Sequence, residues 1–138
     1  VQILTNNVVV SLFAWVLGFL FGLGTLYIIG LNGLMLGGVF AFTAQHGLDG
    51  RLFEFVVAHG VVELSCICLS GAAGAAVGDA IARPALHSRA ASFAAAARRS
   101  GRLLVAVTLL LVGCGLIEGY VSPDPLMPLP TRLVVGFG

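Results

Sequence analysis

Residues 8 to 29 read VVVSLFAWVLGFLFGLGTLYII, with no charged side chain. A helix needs about 20 apolar residues to cross ~30 Å of hydrocarbon. In that solvent only helices and closed barrels pair every backbone amide and carbonyl internally. Further apolar runs occupy 31–45, 52–81 and 103–121, and TRLVVGFG from 131 reads as the opening of one more. Composition agrees: 59% of the chain is AVILMFWYC and 9% is charged, against roughly 25% charged in a soluble domain. The expected fold is all-α, a polytopic transmembrane helical bundle of four to five membrane segments in one domain over 1–138. The abrupt ends read as those of a piece of a longer chain. No basic stretch precedes the first run and no small-residue cleavage site follows it, unlike a secretory signal peptide.

The breaks between runs organise the chain. Asn6 or Asn7 is placed to cap the first span. GLNG is a tight, uncharged connection, so 8–29 and 31–45 read as a hairpin, the second piece being either a short span or a re-entrant helix. HGLDGR forms a polar loop before the run from Leu52 to Ile81. Pro84 ends that helix. Residues 82–102 form an Ala/Arg-rich connection that holds Arg83, Arg89, Arg98, Arg99 and Arg102, five of the seven arginines. By the positive-inside rule it faces the cytoplasm, and HGLDGR and SPDPLMPLP face outward. The arginines read as a solvated or interfacial helix face, or as a docking surface for anionic lipid or a partner. Without interleaved aromatics they do not suit nucleic acid.

Glycines fall mostly inside the spans. Pairs four apart occur at Gly18/Gly22, Gly33/Gly37, Gly74/Gly78 and Gly115/Gly119, a spacing that lets helices approach closely in lipid. The dense patch SGAAGAAVG, with Gly71, Gly74 and Gly78, predicts a helix packed tightly inside the bundle. Gly115 and Gly119 are further packing positions. Cys66, Cys68 and Cys114 all lie in apolar runs and read as buried free thiols rather than a disulfide.

The polar residues inside these runs carry the functional question. A charge at mid-bilayer costs ~2.5–3.5 kcal/mol on insertion scales, so such groups face protein or a water-filled cavity. His59 and Glu63, in AHGVVELS, are four apart and share a helix face. Counted from Leu52 at 1.5 Å per residue, they lie about 10 to 17 Å deep. Glu118, in GLIEGY, lies near the outer end of a helix running the other way. Asp79 lies near the cytoplasmic end of its helix, where an ion pair with an arginine is expected. The cluster His59, Glu63 and Glu118 supports three readings: a structural hydrogen-bond network, a proton or ion path, or a metal site with His46 as an additional outer ligand. The His-x-x-x-Glu spacing is not that of a zinc protease, and no Ser/His/Asp constellation is evident. The chain is therefore expected to be non-enzymatic, with no cofactor.

YIIGLNGLMLGGVFAFTAQHG, HGVVELSCICLSGAAGAAVG and GLIEGYVSP resemble, in order and spacing, the stage II sporulation protein M family. The resemblance covers roughly residues 6 to 138, and its most specific parts are His-Gly-x-x-Glu-Leu-Ser and Ile-Glu-Gly-x-x-Ser-Pro. It marks His59, Glu63, Glu118 and Pro123 as motif positions and assigns none a catalytic role. It implies a multi-pass protein of the inner (cytoplasmic) membrane. In spore formers it implies a scaffold that recruits peptidoglycan-remodelling enzymes during engulfment. Expected partners are the lipid bilayer, membrane or envelope proteins and further copies of the chain, with no nucleic acid. An ion- or proton-coupled transporter using the His/Glu cluster is the alternative.

Overall fold

The computed structural model describes residues 2–57, 59–84 and 88–120, with Pro128 and Pro130; of Glu118 and Tyr120 it describes the backbone. Five helices follow in order: α1 Gln2–Gly18, α2 Leu23–Gln45, α3 Asp49–Val57, α4 Gly60–Ala82 and α5 Arg89–Tyr120. No strand occurs among the described residues. α2, α4 and α5 are long and apolar enough to cross a membrane. α1 is a shorter apolar helix of 17 residues, about 26 Å. The stretch expected from 131, Pro123 and most of SPDPLMPLP lie outside the described residues.

The helix boundaries differ from those read off hydropathy. The expected span 8–29 is broken: α1 stops at Gly18, and α2 runs unbroken through the GLNG placed between two segments. The turn is made by Phe21 and Gly22, with φ of 55° and 80°. Glycine tolerates this left-handed geometry, whereas phenylalanine is strained by it. Gly22 donates its N–H to Gly18 O at 2.8 Å. Asn6 and Asn7 consequently lie within α1 rather than capping it. α2 ends in a Schellman motif: Leu48 N–H donates to Thr43 O at 2.9 Å and Gly47 N–H to Ala44 O at 3.1 Å. Gly47 takes the left-handed position, at φ 67°.

The run 52–81 is likewise divided. α3 holds Asp49, Arg51 and Glu54 on an exposed face, and α4 starts anew after His59, its N-cap residue. The 82–102 connection is mostly helix. Alanine and arginine are strong helix formers, and Ser88 caps the start of α5 by accepting from Ala91 N–H at 3.2 Å. α5 then continues for 32 residues, about 48 Å, longer than a ~30 Å hydrocarbon core. At the end of α4 the exposed guanidinium of Arg83 donates from Nε to Asp79 Oδ1 at 2.7 Å, the ion pair expected for Asp79.

α4 is the centre of the bundle and touches each of the other four helices. It runs parallel to α1: Gly74 lies on Trp15 and Gly78 on Gly18 and Phe21. α5 runs antiparallel to both, with Gly115 on Leu4 at one end and Ser100 on Trp15 at the other. Backbones make the α1–α4 seam. A Cβ on Gly18 would fall 2.5 Å from the Gly74 carbonyl carbon, and one on Gly78 would fall 2.6 Å from Gly18 O. The buried face of α1 is accordingly small: Asn7, Ser11, Ala14 and Gly18, spaced four, three and four apart. A core of Cys66, Val107 and Leu111, flanked by Leu4, Val8 and Val62, joins α1, α4 and α5. Cys114 is also buried, but Cys68 is exposed, because it points away from that seam.

α2 is attached differently. Thr25 is its one buried residue. The Thr25 hydroxyl donates to Ala14 O at 2.8 Å and lies 3.3 Å from Gly71 O, so a single side chain ties α2 to α1 and α4.

Candidate functional site

Where α1 and α4 begin, the bundle opens into a cleft of about 400 Å³ between α1, α2, α3 and α4. Its walls are apolar, with Ile3 from α1, Met35, Leu36 and Val39 from α2, Leu52, Phe55 and Val56 from α3, and Leu64 from α4. Five polar residues reach it: Asn6, Asn7, Asn32, His59 and Glu63. Apolar walls with a few convergent polar groups are the usual composition of a ligand site.

The end of α3 at Val57 and the fresh start of α4 at Gly60 position the two ionisable groups. The backbone N–H of His59 bonds Val56 O at 3.2 Å, closing the end of α3, while its carbonyl accepts from Glu63 N–H at 3.1 Å and opens α4. Gly60 fits this junction because a Cβ there would meet Val56 Cγ1. The imidazole stands edge-on to Phe55, with ring centroids 5.4 Å apart. His59 Nε2 lies 3.9 Å from Glu63 Oε2, ion-pair range and longer than a direct hydrogen bond. Both residues are buried, His59 to 2% exposure and Glu63 to 4%. Glu63 occupies the first turn of α4, the end at which a helix dipole favours a negative group.

The depth of 10 to 17 Å expected for this pair assumed one unbroken helix from Leu52. With α4 starting at Gly60 both residues sit at its very beginning. The backbone of Glu118 lies one turn beyond Gly115, which packs on Leu4, so it reaches the same end of the bundle. Its side chain lies outside the described residues, as does Pro123. His46 does not join the cluster. α2 continues about 10 Å past Val39 before reaching it, and there it is the exposed C-cap residue, its Nδ1 2.8 Å from Phe42 O. Among the described residues no three His, Cys, Asp or Glu side chains lie together as a metal site would need.

Of the packing glycines, Gly71, Gly74, Gly78 and Gly115 each meet another helix, whereas Gly119 meets no described residue. Arg83, Arg89, Arg98, Arg99 and Arg102 are exposed and lie at the opposite end of the bundle from the cleft. Arg99 also borders a groove between α4 and α5 lined mainly by alanines.

Sequence reasoning missed Asn32 and the contribution of Asn7. A signal was present: Thr25 and Asn32 are seven apart, two turns on one face of α2, and Asn7 opens the small-residue series of α1. It also missed the bond from Trp15 Nε1 to Ser100 Oγ, 3.1 Å, which locks α1 to α5.

A family model described as "Stage II sporulation protein M" matches residues 1–123. The chain belongs to the stage II sporulation protein M family. No curated protein and no solved structure matches it. The family match spans all the described helices and takes in every residue of the cleft.

Proposed function

We propose that the chain is a non-enzymatic scaffold of the inner membrane, crossing it several times and holding partner proteins of the cell envelope, including peptidoglycan-remodelling ones. The observation that carries this reading is the outward face of α2. A Cβ on Gly30, Gly33 or Gly37 would meet no described residue within 4 Å, and with Ala41 and Ala44 these glycines form an exposed stripe at intervals of three and four residues. Leu26, Tyr27 and Leu34 beside it are 64–75% exposed. In lipid, small residues at such spacing favour close contact with another helix. Family membership supports the same reading. By the positive-inside rule the arginine end is cytoplasmic, and the cleft opens at the other surface.

A photoreactive residue in place of Leu34 tests the scaffold in native membranes. A discrete protein adduct that disappears with Gly33→Leu and Gly37→Leu is expected, with none from the equally exposed face of α5 at Leu109. Lipid adducts alone from both positions would overturn it.

The His59–Glu63 pair at an open cleft favours one second reading, an ion or proton path. Proteoliposome flux separates the two. A scaffold keeps its adduct with Glu63→Gln, whereas an ion path loses flux at unchanged stability.

A further inference from the structure

The cleft has a chemistry that the scaffold reading does not use. We propose that it binds a membrane lipid with a primary-ammonium head, the ammonium received by the Glu63 carboxyl and the carboxamide oxygens of Asn7 and Asn32, with the lipid's apolar part along Met35, Val39 and Val56.

The shape points to a lipid rather than a helix. The cleft is short: the Thr25 clamp fastens α2 to α1 and α4 about two turns below Asn32, and α3 packs against α2 and α4 on the other side. A partner helix, 10–12 Å across with its side chains, needs a groove running along the bundle, whereas about 400 Å³ suits one head and the chain next to it. The site opens where two of its helices begin, which in a membrane is the level of the lipid heads.

The lining then selects the head. Five of the seven arginines sit at the far end of the bundle, and Arg51, on the exposed face of α3, does not line the cleft. Among the described residues no guanidinium is therefore placed to receive a phosphate or carboxylate. Oxygen acceptors dominate instead: Glu63, itself 4% exposed, and the three asparagines. Asn7 is 8% exposed, and its Oδ1 accepts from Asn6 Nδ2 at 3.4 Å, a long bond that leaves room for a better donor. The Asn32 carboxamide makes no hydrogen bond with any described residue. In a hydrocarbon surrounding an unpaired amide is costly, and a ligand donor removes that cost. An ammonium has three donors and no acceptor, matching an acceptor-rich lining. His59 stands beside Glu63, its Nε2 3.9 Å from Glu63 Oε2, and fixes the side of the cleft from which the carboxyl is reached. The site uses the inner face of α2, opposite the glycine stripe, so its failure and that of the scaffold are separable.

The test is native mass spectrometry of the full-length protein, released from membranes of equimolar phosphatidylethanolamine and phosphatidylglycerol. The expected result is one phosphatidylethanolamine per chain, retained about tenfold over phosphatidylglycerol, the ratio one charge-assisted hydrogen bond supports. Asn32→Leu and Glu63→Gln should each reduce that preference. Equal retention of both lipids, or a preference for the anionic one, would overturn the proposal. If Asn32→Leu does not fold, Met35→Trp keeps the test open. Met35 is 67% exposed at the mouth of the cleft, and a bulky ring there blocks entry without entering the core. An adduct undiminished by Met35→Trp would also sink the proposal.

Discussion

α2 and α4 are near twins by length and composition, and the fold treats them as opposites. Each has 23 residues, each is apolar enough to span a membrane, and each carries several glycines. α4 buries ten residues, and its Gly71, Gly74 and Gly78 are filled by Thr25, Trp15, Gly18 and Phe21. α2 buries Thr25 alone, and a Cβ on Gly30, Gly33, Gly37 or Gly38 would meet no described residue within 4 Å. The difference teaches that glycine in a membrane helix states a capacity for close approach, and the fold decides whether the same chain uses it. In aqueous helices each interior glycine costs about 1 kcal/mol relative to alanine. Four of them that no described helix uses point to a contact beyond the described helices, which is why α2 is the element from which a partner is inferred.

The most severe break of the comparison is expected at Gly74. Even one methyl there runs into the Trp15 carbonyl, a backbone atom that cannot rotate away. Gly74→Leu should cost about 3 kcal/mol or abolish folding, the upper range for overpacking. Unfolding in mixed micelles, followed by circular dichroism, would reveal it. A variant as stable as the parent would mean that the α1–α4 seam is looser than these contacts imply.

Next in size is the pair at the start of α4. Glu63→Ala removes a buried carboxyl from beside buried His59 and should destabilise by about 2 kcal/mol. Glu63→Gln keeps a polar group there and should cost under about 1 kcal/mol. The gap between the two melting curves is the measurement. Equal losses would assign the stabilisation to charge rather than to polar contact.

How much of this was legible in the residues follows from where each signal lives. Spans announce themselves through hydropathy, and the sharing of one face by His59 and Glu63 follows from their spacing alone. The stop at Gly18 does not, because residues 18 to 24 are as apolar as the helices on either side and only tertiary contact shows why the backbone turns. The division of α3 from α4 between Val57 and Gly60 is hidden likewise inside one greasy run. In 82–102 the alanines and arginines together carry the signal of an interfacial helix, and α5 begins there. Locally Asn32 is one polar residue in an apolar run. Its role depends on α1, α3 and α4 converging on it, and no local pattern encodes that convergence.

A smaller effect is expected at the one point where α2 is clamped. Thr25→Val keeps the shape and removes the hydroxyl that donates to Ala14 O. Interhelical hydrogen bonds in membranes average about 0.6 kcal/mol, so a loss near 1 kcal/mol is expected. The same variant should speed hydrogen exchange in α2 more than in α4, because α4 is also held by α5 and buries ten residues. Uniform acceleration across both helices would show that the clamp supports the entire bundle.

The smallest effect on stability is expected where the comparison predicts the largest effect on assembly. Gly37→Leu puts a large side chain on a position where a Cβ would meet no described residue within 4 Å. Alone in detergent the variant should melt within about 0.5 kcal/mol of the parent, as exposed substitutions do. In native membranes it should lose the adduct formed from position 34, because four added carbons hold a partner helix off the stripe. If Gly37→Leu instead melts early, the outer face of α2 is packed within the protein's own assembly, and the contrast with α4 shrinks to a matter of which copy fills the glycines. If it changes neither stability nor adduct, the open glycines are lipid-facing, and the partner surface must be sought elsewhere, beginning with the arginine-bearing start of α5.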